Sequence, residues 1–518
     1  MSNTELSARQ KRNILISMCA ALIAVIASVS GLNVAQQQVA VDLGASQGQV
    51  LWVINAYTLA LAALLMPIGA IGDRWGRKHV LLAGLVVFSS ASLLAALAPT
   101  VGVLIFARAL AGLGAAMVMP VTLSVITSSF PPEERSQAIG IWAGFAGAGG
   151  IIGLFTSSFF VDYFSWRWLF VVPIGIMIFA GAMAIKSVPN SSEAGEGRFD
   201  VIGSLLSAVA IGGVVFGIHE GPEKGWGHSL TIVGLVAGVA ALVGFIMWEL
   251  RADDPLLDVT AFKNRGLASG SFTITTMFAV LFGIFLVLFP FFQTILGYSA
   301  LRSAAGLLPM AATMVVMSSL APKVSARIGS RNTMMMGIVV AVVGLVTLAL
   351  SASPDGGYLG VLPGLVLIGL GMGNTMTPAT EAITATLPAE KQGVASALND
   401  TSRELGGAVG VALLGSIVSS GYADNIAGFA AGLPGELGAV VGEDYYAALG
   451  AASNVGQTDP QLAGQVVAAA QQAWVDGWIS SMWIGVAMAS IAFVYLLVAG
   501  PKRTDAVDAG VSRESVSV

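Results

Sequence analysis

Fourteen apolar runs follow one another along this chain of 518 residues. Helices are expected near 14–35, 51–72, 80–98, 101–128, 137–160, 168–187, 201–219, 230–249, 267–291, 303–324, 333–352, 357–387, 393–420 and 477–499. Each run comes near the ~20 residues a helix needs to cross a hydrocarbon core of ~30 Å. Lipid offers no hydrogen bonds to a backbone, so such a run satisfies its own N–H and C=O groups by coiling. The expected fold class is an all-α membrane protein with 14 transmembrane helices. Composition agrees, because only 10% of the residues are charged, against roughly 25% in a soluble domain.

The basic residues then orient the chain. With the N-terminus inside, nineteen of the 24 Lys and Arg fall in inner segments. The outer segments hold Arg167, Lys224 and Arg302, while Arg108 and Arg403 lie within helices. Positive charge is retained on the cytoplasmic side, so both termini are expected there, at the ends of a multi-pass chain. Two segments break the regular spacing. The stretch 188–200 (VPNSSEAGEGRFD) is polar and turn-rich, as a linker between halves would be. The outer segment 421–476 carries six acids and no base, and its Ala-rich part, Pro460–Ala473, can form short helices outside the membrane. The first apolar run follows Arg9, Lys11 and Arg12 and is too long for a signal-peptide core, so it reads as an uncleaved first helix.

Several kinds of chemistry find no support. Cys19 is the lone cysteine and reads as a packing residue. No cluster has metal-ligand spacing, so no metal is expected. The glycine-rich run that ends at Gly150 lies inside the fifth helix and is not a phosphate loop, and no G-x-x-x-x-G-K-[ST] element exists, so no ATP-driven activity is expected. His79, His219 and His228 are far apart. No cofactor, no enzymatic activity and no nucleic-acid partner is expected.

Between the second and third helices runs GAIGDRWGRKHVLL, residues 69–82. By charge alone it is a positive-inside turn. Its spacing resembles the G-x-x-x-D-R-x-G-R-K signature of the major facilitator superfamily, carried here by Gly69, Asp73, Arg74, Gly76, Arg77 and Lys78. A degenerate copy, SARIGSRNT (325–333), sits half a chain later with Ala326 in the place of the acid, as duplication of a six-helix half would leave it. LIFARALAGLGAA (104–116) is similar to the family's fourth-helix motif, with Arg108 inside the membrane. SWRWLF (165–170), GPEKGWG (221–227) and GYSALRSAAGLLP (297–309) resemble the 14-helix drug:proton antiporter branch, and NDTSRELGG resembles its quaternary-ammonium-compound exporters.

That resemblance implies two pseudo-symmetric six-helix bundles, 14–187 and 267–499, with an inserted helix pair at 201–249. The connecting pieces are the N-terminal tail 1–13, linkers 188–200 and 250–266, and the C-terminal tail 500–518. It also implies a switch role for Arg108 and the 69–78 motif. The chain departs from those exporters at Ser28 and Asn55, where they carry acids, and in MAATMVVMSS (310–319), which has none. The fifth-helix antiporter motif keeps Gly149 and Gly153 but has Leu154 for its proline.

The thirteenth helix carries Asp400, Arg403 and Glu404. Asp400 would lie about 10 Å along the helix and Glu404 about 6 Å deeper. Positions 400, 403, 404 and 407 share a face. A charge at that depth costs about 3 kcal/mol, so the face should turn to a cavity or a partner. Two acids one turn apart, with one base between them, can act as a coupled one-proton site. A structural network, with Asp400–Arg403 as a permanent pair and Glu404 bound to a neighbouring helix, stays open beside it.

Polar and aromatic groups at mid-depth are the candidates for a substrate cavity: Asn33, Gln36, Asn55, Tyr57, Trp142, Phe292, Gln293, Asn374 and Glu381. Small-molecule sites have this make-up, apolar with a few polar handles. The expected function is export of amphiphilic small molecules across a bacterial cytoplasmic membrane in exchange for protons, by a monomer whose partners are lipophilic substrates, protons and membrane lipids. An exporter or flippase of lipids or envelope metabolites keeps the fold and changes the cargo. A non-transporting sensor on the same scaffold is the reading from a different class.

Overall fold

The computed structural model describes residues 6–189, 198–354 and 356–501. The side chains of Asn33, Gln37, Gln47 and Glu223 are outside that description. Much of the expected linker 188–200, the first residues of the tail 1–13 and nearly all of the tail 500–518 also lie outside it.

Among the described residues there are helices and no strands, and fourteen helices are long and apolar enough to cross a membrane. The first half comprises α1 (Ala8–Leu43), α2 (Gln47–Trp75), α3 (Arg77–Ala96), α4 (Val101–Ser129), α5 (Pro132–Tyr163) and α6 (Trp168–Ser187). A pair follows, α7 (Val201–Lys224) and α8 (Ser229–Glu249). The second half comprises α9 (Arg265–Pro290), α10 (Ala300–Ile328), α11 (Ser330–Ser351), α12 (Gly357–Thr384) and α13 (Gln392–Ala430). Two short helices, α14 (Gly435–Glu443) and α15 (Tyr445–Val455), precede the last, α16 (Pro460–Ala499).

Starts and stops follow local chemistry. Ser7 and Gln10 form a reciprocal capping box that begins α1 inside the expected tail, and Ser46 and Gln49 do the same for α2. The linker after α8 is ordered by its own acid. Asp258 accepts from the Thr260 hydroxyl at 2.6 Å and amide at 2.9 Å, bonds that hold its carboxyl below the usual carboxylate range.

The duplication is visible in backbone geometry. One residue, Gly76, joins α2 to α3 at φ 101°, and one residue, Gly329, joins α10 to α11 at φ 87°. Only glycine takes such angles without strain. α1–α6 pack among themselves, as do α9–α13 with α16. The two groups meet along one seam, where α5 lies on α10 and α13 on α2 and α4. The α7–α8 pair leans on α2 and α13. Exposed Val233, Val236, Val239 and Leu242 on α8 are what a lipid-facing helix shows.

The segment 421–476 differs from its expectation as a long outer stretch with short helices at Pro460–Ala473. α13 continues to Ala430, and Pro460 begins α16 itself, with Asp459 as its cap and proline at the first position. α13 has 39 residues and α16 has 40. At 1.5 Å per residue each is about 60 Å long, twice the hydrocarbon thickness. Both must rise out of the bilayer, and α14–α15 closes the gap above them. An aromatic column fills that junction. Tyr422, Tyr445, Trp474, Trp478 and Phe291 follow one another at centroid distances between 4.8 and 6.3 Å.

Candidate functional site

The seam is stitched at its Gly76 end. Asp73, near the end of α2, accepts from the Gly393 amide at 2.8 and 2.7 Å and from the Val394 amide at 3.2 Å. These amides open α13, which lacks a side-chain cap of its own. Asp73 thus caps a helix of the other half, placing an anion at its positive end. Arg77 holds the carboxylate with bonds of 3.2 and 3.0 Å and also donates to the Ala389 carbonyl at 3.0 Å. Asp73 and Arg77 are both buried. Close approach is possible because Gly69 faces Gly393. A Cβ on Gly69 would stand 2.6 Å from the Gly393 carbonyl oxygen. Lys78 donates to the Ile185 carbonyl at 2.8 Å, tying α3 to the end of α6. On the α5–α10 side, positions 140, 144 and 147 meet Ser318, Val315 and Met314.

Midway along α13 the charges cluster. Asp400 and Arg403 are buried and paired at 3.4 Å. Asn399 donates to Asp400 at 3.3 Å and accepts from the Thr380 hydroxyl at 3.0 Å. The Arg403 guanidinium lies between two rings from different halves, 5.0 Å from the Trp142 centroid on α5 and 4.9 Å from Phe278 on α9. Its Nε and Nη2 are buried without a hydrogen-bond partner, as is Oδ2 of Asp400. Glu404, one step on, keeps partial exposure and has no hydrogen-bond or ion-pair partner among the described residues. It faces Tyr57 across the seam.

Tyr57 belongs to a second buried cation. Arg108 lies 4.2 Å over the Tyr57 ring and donates from Nε to the Val53 carbonyl at 3.1 Å, while its Nη2 is unpartnered. A guanidinium above an aromatic face gains from the ring quadrupole, more so when both are desolvated. Two buried arginines therefore approach the seam, Arg108 from one half and Arg403 from the other. Beside them stand one paired acid and one unpaired acid.

The other expected residues scatter. Tyr57 donates to the Val25 carbonyl at 3.0 Å, and Trp142 donates to Thr122 at 3.0 Å, so their polar atoms are already used. Asn374 is buried against α11, donating to the Thr333 carbonyl at 3.0 Å. Phe292 is buried among Phe291, Tyr298 and Tyr358, and Gln293 follows in the π-helical turn 291–295. Asn55 and Gln36 are half-buried, Asn55 on α2 and Gln36 in the last third of α1. Glu381 on α12 is half-buried and faces Ser136 on α5. Asn33 lies outside the described side chains. The fifth-helix motif packs α5 on α1, with Gly153 against Ala27 and Gly149 against Ile26, and Leu154 is buried beside them. Phe278, Thr380 and Gly393 are among the partners that went unread in the sequence. Only the last carried a signal, as the first glycine after Lys391 at a helix start.

Comparison with known proteins agrees with this fold. Residues 16–411 match the Major Facilitator Superfamily. The chain is 32% identical over 392 residues to the multidrug resistance protein Stp of Mycobacterium tuberculosis, covering 75% of this chain and 72% of that one. It is 35% identical over 426 residues to the puromycin resistance protein pur8 of Streptomyces alboniger, covering 80% and 83%. The fold superposes on the crystal structure of a bacterial homologue of the human lysosomal transporter Spinster, inward-facing and unoccupied, with a TM-score of 0.59 at 16% identity, over 96% of this chain and 100% of that one.

Proposed function

Because this chain belongs to the Major Facilitator Superfamily, we propose that it exports amphiphilic small molecules across a bacterial cytoplasmic membrane in exchange for protons. Relatives whose names record multidrug and puromycin resistance support the kind of cargo. The unpartnered Glu404 carries the proton reading. An ionisable side chain at membrane depth, turned to a seam between two halves, is a functional group by default. Asp400 is engaged by Arg403 and Asn399, and Glu381 faces Ser136, so Glu404 is the acid of the three with no polar partner among the described residues.

The cycle runs as a rocking of the α1–α6 group against the group of α9–α13 with α16. The Gly76 loop faces the cytoplasm, on the side where Lys and Arg accumulate. With Asp73 capping α13, that end is shut. Protonation of Glu404 from outside removes a negative charge from the seam and favours opening of the Asp73 end. Cargo enters there and promotes release of the proton inside. Gly69, Arg74, Gly76, Arg77 and Lys78 serve the latch, and Arg108 with Tyr57 senses the charge on Glu404.

Reconstitution tests the reading. Purified protein in proteoliposomes, with an imposed pH gradient, is expected to move lipophilic probes uphill, and Glu404→Gln is expected to abolish the uphill component. Asp400→Asn is expected to weaken it. Uphill movement by both variants at the parent rate would show that the coupling site is elsewhere. Labelled lipids run in parallel distinguish a flippase from an exporter of soluble amphiphiles.

A further inference from the structure

The seam already holds a buried cation between two aromatic rings. Arg403 is planar and always charged, and it lies between Trp142 and Phe278 at 5.0 and 4.9 Å, one ring from each half. Aromatic faces set in this way are what recognises an organic cation. Its partner Asp400 is spent on it, at 3.4 Å. Three of the groups the site leaves unsatisfied are donors on guanidinium groups. Arg403 Nε, Arg403 Nη2 and Arg108 Nη2 are buried N–H groups with no acceptor. Against them stand one buried oxygen, Asp400 Oδ2, and the carboxyl of Glu404. A buried donor on a charged group is costly to leave unpaired and strongly rewards an oxygen that reaches it.

We infer that Arg403 is the resident cation of the transport seam, and that the cargo is an uncharged or acidic amphiphile whose carbonyl or carboxylate oxygens meet the free guanidinium donors. The inference rests on the proposed export function and narrows its substrate class. Organic cations are disfavoured because the aromatic seat is filled and, once Glu404 is protonated, Arg108 and Arg403 outnumber the one remaining carboxylate. When Glu404 is protonated the seam carries two guanidinium charges and one carboxylate, so its field favours an anion.

Three probes that share one body test this: pyrenebutanoate, its primary amide, and pyrenebutyl trimethylammonium. Binding to the full chain in lipid nanodiscs is read by tryptophan-to-pyrene energy transfer, with empty nanodiscs as the blank. The parent is expected to bind the acid and the amide more tightly than the ammonium. Arg403→Gln, checked for folding by its elution profile, is expected to shift the acid-to-ammonium affinity ratio toward the ammonium by about tenfold, the worth of a lost charge-assisted hydrogen bond. Arg403→Lys keeps the charge and is expected to keep the parent's order. A parent that prefers the ammonium overturns the inference, and so does a folded Arg403→Gln variant with the parent's ratio. Should Arg403→Gln fail to fold, the order measured on the parent decides alone. No gradient is applied, so failure here leaves proton coupling untouched, and failure of coupling leaves this order untouched.

Discussion

Asp73 shows how much one carboxylate can organise. It gathers two α13 amides and the Arg77 fork while buried from solvent. Removing its charge leaves those donors facing a neutral amide. Asp73→Asn is expected to lower stability by about 3 kcal/mol, read as a fall in the unfolding temperature. It should also raise the labelling rate of a cysteine placed at Ala397, because the seam there opens more often. Gly69→Ala tests the same contact by volume. Its new methyl would stand 2.6 Å from the Gly393 carbonyl oxygen and 2.8 Å from the Ala397 Cβ, so a loss of roughly 1–3 kcal/mol from overpacking is expected. The sequence exposed Asp73 by its spacing, but not the group it binds. The Gly393 amide lies 320 residues away, and a backbone N–H has no signature in a sequence. Arg403 was legible as a charge beside two acids. Its seat between Trp142 and Phe278 was not, because ring contacts across helices leave no periodic trace.

At the scale of elements, α13 combines three tasks in one length: an end capped by another half, a charged middle, and a small-residue face toward α9. Gly406 meets the Thr275 backbone and Gly410 meets Ala279, where an added Cβ would lie 2.6 Å from the Ala279 Cα. Gly410→Leu is therefore expected to cost about 3 kcal/mol or more, seen as loss of monodisperse protein after extraction. The same bulk at Gly450 on α15, which has open space around it, should be tolerated. Hydropathy made the crossing helices legible, since lipid leaves a chain only one way to satisfy its backbone. It could not find α14 and α15, or the far ends of α13 and α16, because those parts leave the lipid and are held by tertiary packing. The aromatic column supplies that packing, and its members, Phe291 to Trp478, come from four separate stretches of sequence.

For the whole molecule, the duplication survives in the backbone of the two glycine turns and is broken in chemistry. Gly76 and Gly329 turn alike, but the acid three residues before the first is matched by Ala326 before the second. α13 is capped by Asp73, whereas α5 starts at Pro132 with no side-chain cap. Among the described residues, one side-chain helix cap crosses the seam where symmetry allows two. Ala326→Asp is expected to add the second, raising stability by about 1 kcal/mol, the worth of a helix cap, and slowing transport through a Gly76 end that opens less often. Proteoliposome flux and thermal unfolding of the same preparation check both halves of that expectation. The family and its two-half plan could be read before any coordinates, because the 69–78 spacing and its echo at 325–333 survive in sequence. The broken symmetry could be read too, in Ala326, but its meaning needed the cap on α13.

The hairpin of α14 and α15 sits on the upper ends of α13 and α16, and both of those belong to the second half. It has no crossing of its own, so it must go wherever that half goes. A dye on its surface would sweep through the water like the pointer of a dial, its angle against the bilayer plane giving the tilt of half the protein in real time, with no label placed anywhere near the path of the cargo.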